Sequence, residues 1–238
     1  MTGQSALQRA IAAEQGAVDA LYARLDVVVA RTEDDLARSR RSLSTGTPAA
    51  RVEQEAFIRL FTERLAALRA AEDRLVFGSL LLHDGDTRSI GRVGLVDDAQ
   101  QPLLTDWRAR AAEPFYQATG ANPMGVRRRR HISLRDRTVT GVEDDVLDVD
   151  IADGTDVHGS GALMAALSAK RTGRMHDIVA TIQAEQDQII RAPLPGPLVV
   201  SGGPGCGKTV VALHRAAYLL YTYRERLARS GVLIVGPN

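Results

Sequence analysis

The sequence predicts an α+β fold that leads into an α/β one: an antiparallel coiled-coil hairpin, a small β-rich module, then the first strands of a parallel nucleotide-binding sheet. Two stretches near the N-terminus repeat apolar residues alternately every four and three positions. Between residues 77 and 142, short apolar runs alternate with turns rich in Gly and Asp. Further on, Gly202-Gly203-Pro204-Gly205-Cys206-Gly207-Lys208-Thr209 satisfies the pattern G-x-x-x-x-G-K-[ST] at every fixed position. The divisions expected from these patterns are residues 1–76, 77–150 and 151–238.

In the first stretch, residues 4–41 contain no proline and place Leu7, Ile11, Glu14, Val18, Leu21, Leu25, Val28 and Thr32 on one heptad seam. Ser44-Thr45-Gly46-Thr47-Pro48 breaks it. A second helical stretch then carries Ile58, Phe61, Leu65, Leu68, Glu72 and Leu75 at the same spacing. Each stripe needs an apolar partner, and the short break lets the two fold back on each other. Such a hairpin would project about 40 Å at roughly 1.5 Å per residue. Two helices of an ordinary bundle are the alternative, but no further helices follow directly to complete one. Glu14 and Glu72 read as residues that fix register or sit at the hairpin base, with no chemistry assigned.

Phe77-Gly78-Ser79-Leu80-Leu81-Leu82-His83 before Asp84-Gly85-Asp86, and residues 90–96 before Asp97-Asp98, are strand and hairpin signals. Residues 103–107 form a third short strand, and 126–134 with 137–142 a further hairpin around Arg135-Asp136. Within it, Arg127-Arg128-Arg129-Arg130 is open to two readings: a solvated or intramolecularly paired strand, or a contact with a polyanion such as nucleic acid. Alternation along a strand would put at most two of these arginines on one surface. The acidic run Glu143-Asp144-Asp145, with Asp148, Asp150, Asp153 and Asp156 beyond, lacks the pattern of a calcium loop and reads as a solvated connector. His83, His131, His158 and His176 have no metal-ligand spacing.

Residues 160–190 are helical in pattern. Leu198-Val199-Val200-Ser201 reads as a short buried strand, residues 210–227 as a helix, and Val232-Leu233-Ile234-Val235 as a second buried strand. Strand, glycine turn and helix start are what triphosphate binding needs, because backbone N–H groups can curl around the phosphates while the helix end adds partial positive charge. Gly202, Gly203, Pro204, Gly205, Cys206, Gly207, Lys208, Thr209 and Val210 would form the cradle. Lys208 would reach the β- and γ-phosphates, and the Thr209 hydroxyl would ligate Mg²⁺.

Composition bounds the remaining classes. The chain has 238 residues, 45% of them hydrophobic and 25% charged, with a net charge of +1. Near-neutral charge gives no global signature of a nucleic-acid binder. Cys206 is the single cysteine, which excludes an internal disulfide or a cysteine-based metal cluster. No stretch approaches the ~18 apolar residues of a membrane span, and residues 1–9 lack a signal-peptide pattern, so a cytoplasmic protein is expected.

Gln186, in Gln183-Ala184-Glu185-Gln186-Asp187-Gln188-Ile189-Ile190-Arg191-Ala192-Pro193, is followed by apolar positions, a proline-broken loop and the phosphate loop. This arrangement resembles the adenine-reading motif of superfamily 1 helicases of the UvrD/Rep type. A glutamine amide supplies both the donor and the acceptor that the adenine edge requires. The resemblance is closest to the HelD, or helicase IV, family of RNA polymerase-associated ATPases. It is carried by the N-terminal hairpin, by Ile90-Gly91-Arg92-Val93-Gly94-Leu95, Asp106-Trp107-Arg108-Ala109 and Pro114-Phe115-Tyr116, and by Val211-Ala212-Leu213-His214-Arg215-Ala216-Ala217-Tyr218-Leu219-Leu220.

The resemblance implies ATP and Mg²⁺ as cofactors and RNA polymerase as partner through residues 1–76, with the hairpin entering the polymerase secondary channel. It also implies a β-rich module that braces the hairpin and a first RecA-like motor domain from Ser160 onward. ATP turnover in this family is linked to release and recycling of the polymerase. Some members carry an acidic hairpin tip, whereas Arg38, Arg40, Arg41 and Arg51 stand here without a carboxylate between residues 38 and 52. The expected sheet is incomplete at Asn238 and only Glu225 is acidic after Thr209, so the sequence reads as a fragment or truncated product, inactive by itself in hydrolysis. A UvrD-like DNA helicase fragment and a non-hydrolysing interaction protein are the alternative functional classes.

Overall fold

A computed structural model describes residues 3–41, 47–147 and 179–236. The expectations for residues 42–46, for Asp148, Asp150, Asp153, Asp156, His158 and His176, and for a helix over 160–178 lie outside them. The chain divides into two compact units, one of Met1–Ser79, Arg88–Asp106 and Arg130–Glu143, the other of Leu80–Thr87, Trp107–Arg129 and Asp144–Asn238.

In the first unit, helices α1 (Gly3–Arg41) and α2 (Pro48–Ala70) form the hairpin. Thr47 caps α2 by accepting from the Ala50 N–H, and Pro48 occupies a first-turn position where its missing donor costs nothing. Gln54 Nε2 donates to the Ser39 carbonyl at 2.5 Å, and Arg69 pairs with Glu33 at 2.6 Å, which fixes the antiparallel register. Val18, Leu21, Leu25 and Thr32 on α1, and Leu65 and Leu68 on α2, are the buried seam positions. Thr32 satisfies its hydroxyl on the Val28 carbonyl. The predicted second helix runs past its actual end: after Ala71 the chain tightens into a 3-10 turn at Glu72–Arg74, so Glu72 and Leu75 follow the helix.

Strands β1 (Val76–Leu82), β2 (Thr87–Gly91), β3 (Leu95–Val96), β4 (Pro102–Asp106), β5 (Val126–Arg135) and β6 (Thr138–Val146) form one sheet in the order β3-β4-β2-β1-β5-β6. It is mixed, since β2 runs parallel to β4 and β3 antiparallel to it. The run predicted as one strand over 90–96 is divided because Arg92 donates its N–H to the Leu75 carbonyl instead of continuing the ladder. Gly91 is required beside that turn. A Cβ there would overlap the Leu75 carbonyl oxygen and stand 2.8 Å from Leu104 Cδ2. Gly91→Ala is therefore expected to destabilise the sheet by roughly 1–3 kcal/mol, the range for overpacking, measured by urea denaturation. A variant with the parental midpoint would show that the backbone yields there without cost.

The hairpin base and the sheet share one core. Val18, Leu21, Tyr22 and Leu25 of α1 and Leu68 of α2 join Ala71, Leu75, Val76, Val93, Leu95, Leu104, Ile132 and Val139 in a single cluster. Polar anchors complete it. Gln15 donates to the Arg137 carbonyl at 3.1 Å and accepts from the Val139 N–H at 2.7 Å, so a helix side chain substitutes for a neighbouring strand. Tyr22 Oη accepts from the Leu75 N–H, and burial raises its pKa. Arg137 bonds to Asp26 and Glu72 and faces the Tyr22 ring at 4.8 Å. It stands in the β5–β6 turn, where Asp136 and Arg137 have φ 48° and 68°, the left-handed pair that a two-residue hairpin turn demands. Glu14 pairs with Arg130 at 2.8 Å. Both seam glutamates are thus base anchors.

In the second unit, a 3-10 turn at Arg110–Ala112 leads into α3 (Glu113–Gln117). Helices α4 (Ala184–Arg191), α5 (Lys208–Thr222) and α6 (Arg224–Leu227) follow, with α4 packed on both α3 and α5. Over its described part the helical reading of 160–190 holds for residues 184–190, which lie in α4, and is corrected before them: Val179–Thr181 is a 3-10 turn, and Gln183 is the extended cap that starts α4. The two buried strands read at 198–201 and 232–235 are also corrected. Neither segment is a strand, and Val199, Leu233 and Val235 are 90%, 88% and 86% exposed. A strand exists only through ladder partners, and neither segment has one among the described residues. The acidic run is no solvated connector either. Glu143, Asp144 and Asp145 belong to β6, where Asp144 pairs with Arg128 at 3.6 Å and Asp145 with Arg129 at 2.9 Å.

Candidate functional site

Residues 202–207 turn directly into α5. Gly205 and Gly207 have φ of 77° and 87°, and in that region a side chain costs roughly 1–2 kcal/mol. Gly207 is the residue from which α5 starts, so the free N–H groups of the first helical turn follow the loop. Lys208 is the first residue of the helix, and its Nζ bends back to donate to the Gly202 and Gly203 carbonyls at 2.8 and 2.7 Å. Cys206 Sγ lies 3.7 Å from the same nitrogen. The loop is thus closed by the ammonium that, in the sequence reading, contacts phosphate. Thr209 follows on the first turn and is exposed.

Gln186, distant in sequence, comes to the same place. Its Nε2 lies 3.4 Å from where a Cβ on Gly207 would stand. Its backbone N–H and side chain complete a reciprocal capping box with Gln183, the Oε1 accepting from the Gln183 N–H at 3.2 Å. That bond takes one lone pair of the carbonyl oxygen and leaves the other, together with the amide hydrogens, for a ligand. The structure therefore brings Gln186 and residues 202–210 together. It does not bring Arg127, Arg128, Arg129 and Arg130 into a cation cluster, because Arg128, Arg129 and Arg130 pair with Asp144, Asp145 and Glu14.

Three residues that the sequence reading did not single out hold this arrangement. Arg215, two turns along α5 from Lys208, donates to the carbonyls of Ile189, Ile190, Ala192 and Pro193 at 2.7–3.1 Å. Those carbonyls lie at and just past the C-terminal end of α4, where helix acceptors lack intrahelical donors, so the helix that begins at the loop grips the helix that carries Gln186. Asp187 is fully buried and accepts from Arg191 and from Gln117. Burial pushes its carboxyl above the usual range, while Arg191 and Gln117 oppose that shift. Nothing in the sequence marks Asp187 and Arg191 as interior, because an i,i+4 acid and base pair ordinarily lies on a helix surface.

Glycines at positive φ, a helix start, a lysine and a first-turn threonine fit a magnesium-bound triphosphate in part. A Mg²⁺ shell also takes a carboxylate; among the described residues after Thr209 only Glu225 is acidic, and it lies on α6. Among the described residues no group of His, Cys, Asp and Glu could hold a metal by itself, and no helix is long and apolar enough to cross a membrane. A family model for the N-terminal domain of DNA helicase IV HelD matches residues 11–158, more than half of the chain. No curated protein matches.

Proposed function

The chain belongs to the family of DNA helicase IV HelD N-terminal domains, and we propose that it is the N-terminal part of a cytoplasmic superfamily 1 helicase-like ATPase that binds bacterial RNA polymerase. In this reading the hairpin enters the polymerase secondary channel, and ATP turnover by the longer protein releases or recycles the enzyme. The observation that supports the nucleotide half is the Gln186 amide against Gly207, since in this reading a glutamine that reads the base would stand beside the loop that holds the phosphates. Backbone N–H groups at the start of α5, with Lys208, would hold the phosphates, and Thr209 would offer its hydroxyl to Mg²⁺. The metal would neutralise phosphate charge. Gln186 would accept from the adenine amine and donate to the ring nitrogen.

The partner half is supported by the hairpin surface. Away from the shared core, α2 exposes Val52, Phe57 and Leu60, and exposed apolar surface commonly marks protein contacts. A DNA helicase reading has less support, because Arg128, Arg129 and Arg130 pair with carboxylates of their own chain. The nucleotide half is tested by calorimetry. The intact protein should prefer ATP to GTP by roughly 1–3 kcal/mol, the cost of unmatched buried polar groups, and Gln186→Ala should remove that preference while keeping part of the affinity. Equal affinities for ATP and GTP in the parent protein would overturn the assignment.

A further inference from the structure

Helix α4 presents two adjacent residues to different surroundings. Gln186 lies against Gly207, whereas Asp187 is buried, with Arg191 Nε 2.9 Å from both of its oxygens and Gln117 Nε2 2.7 Å from Oδ2. The Arg191 guanidinium continues into the carbonyls of Trp107, Arg108 and Ala109 at 2.7, 3.3 and 3.2 Å. It also faces the rings of Tyr116 and Tyr218, 5.8 and 5.4 Å from their centroids. One guanidinium thus joins α4 to the segment leading into α3, to α3 itself and to α5.

A helix of eight residues has little stability from its own hydrogen bonds, so its placement follows from what its side chains grip. Arg215 fixes the far end of α4 to α5. The Asp187–Arg191 pair is a second anchor on another side of the helix, tying it to the segment before α3 and to α3 itself. Gln186 and Asp187 are about 100° apart around the helix, so a roll that released Asp187 would carry the Gln186 amide out of the ~2.7–3.2 Å window of a hydrogen bond.

We propose that Asp187 and Arg191 are positioning residues for base recognition: they set the roll of α4 against the Trp107–Gln117 segment and so hold the Gln186 amide at the height of the base edge. The inference rests on Gln186 as the adenine reader and extends it, since adenine preference then depends on residues that never touch nucleotide. The phosphate cradle is anchored separately through α5, so triphosphate affinity and base preference should come apart when the pair is broken.

The experiment measures, in the intact protein with Mg²⁺, the affinities for ATP, GTP and inorganic tripolyphosphate. Arg191→Met should bring the ATP/GTP ratio to within about twofold, while tripolyphosphate affinity stays within about twofold of the parent. Where the single variant fails to fold, Asp187→Leu/Arg191→Met replaces the buried pair by apolar side chains and carries the same expectation. Arg191→Lys, which keeps the charge but loses the planar fork, should fall between. A parental ATP/GTP ratio in Arg191→Met or the double variant, with the ratio lost in Gln186→Ala, overturns the positioning role alone. Equal losses for tripolyphosphate and ATP reduce the pair to a general structural role and also overturn it. A ratio unchanged in Gln186→Ala overturns the adenine reading, and this inference with it.

Discussion

Lys208→Ala is expected to abolish detectable ATP binding in the intact protein. In the closed loop the ammonium satisfies the Gly202 and Gly203 carbonyls. On binding it would exchange these for phosphate oxygens, a neutral acceptor pair for charged ones, and bonds between ionised partners are roughly twice as strong as neutral ones. Losing one partner of a desolvated charge pair costs about 2–5 kcal/mol, or roughly 30- to 5,000-fold in affinity. Folding should change far less, because the two bonds lost are exposed and water can replace the ammonium on both carbonyls. Calorimetric titration with magnesium-ATP beside a thermal melt reads both quantities. A variant that binds ATP as tightly as the parent would remove residues 202–210 from the site.

The parts of this fold that sequence makes legible are those set by local periodicity or by turn chemistry. The heptad seam locates α1 because the apolar stripe has to face something, and Val18, Leu21 and Leu25 do. The turn expected around Arg135-Asp136 falls one residue later, at Asp136-Arg137, because Arg135 still belongs to β5 and Asp136 is the residue type that tolerates left-handed backbone. The phosphate-loop pattern is equally local, and the glycines at positive φ stand at two of its positions, Gly205 and Gly207.

What the sequence hides is tertiary. Residues 198–201 and 232–235 have the composition of buried strands, yet composition supplies no ladder partner, and both remain outside any strand and largely exposed. The acidic run Glu143-Asp144-Asp145 follows Val142, the expected end of the strand, and reads as a connector because its charges suggest solvent. Its partners were the arginines of β5, and opposite charges on neighbouring strands stabilise each other. Asp187 and Arg191 were hidden for a related reason, since burial of an i,i+4 pair depends on carbonyls supplied by Trp107, Arg108 and Ala109, some eighty residues earlier. The place of Gln186 before the loop is legible in the sequence, but its approach to Gly207 is a property of the packed helices α4 and α5.

Shortening the hairpin, by replacing residues 34–59 with a Gly-Ser turn, is expected to eliminate co-purification with RNA polymerase while leaving the sheet folded. Removing all of residues 1–76 would not be a clean test, because Val18, Leu21, Tyr22, Leu25 and Leu68 would leave the shared core. Each fully buried Leu truncated to Ala already costs about 2–5 kcal/mol, comparable with the ~5–15 kcal/mol that holds a whole domain together. The shorter replacement keeps those side chains, the Gln15 bonds to the Arg137 carbonyl and Val139 N–H, and the Glu33–Arg69 pair. It removes Arg38, Arg40, Arg41 and Arg51 together with the exposed Val52 and Phe57, the charged and apolar groups that a protein partner would meet first. Amide hydrogen exchange of β1 and β6 should therefore match the parent, and affinity capture from a bacterial lysate should lose the polymerase subunits. Capture retained at parental level by a variant with parental exchange would move the polymerase contact off the distal hairpin and onto the rest of the chain.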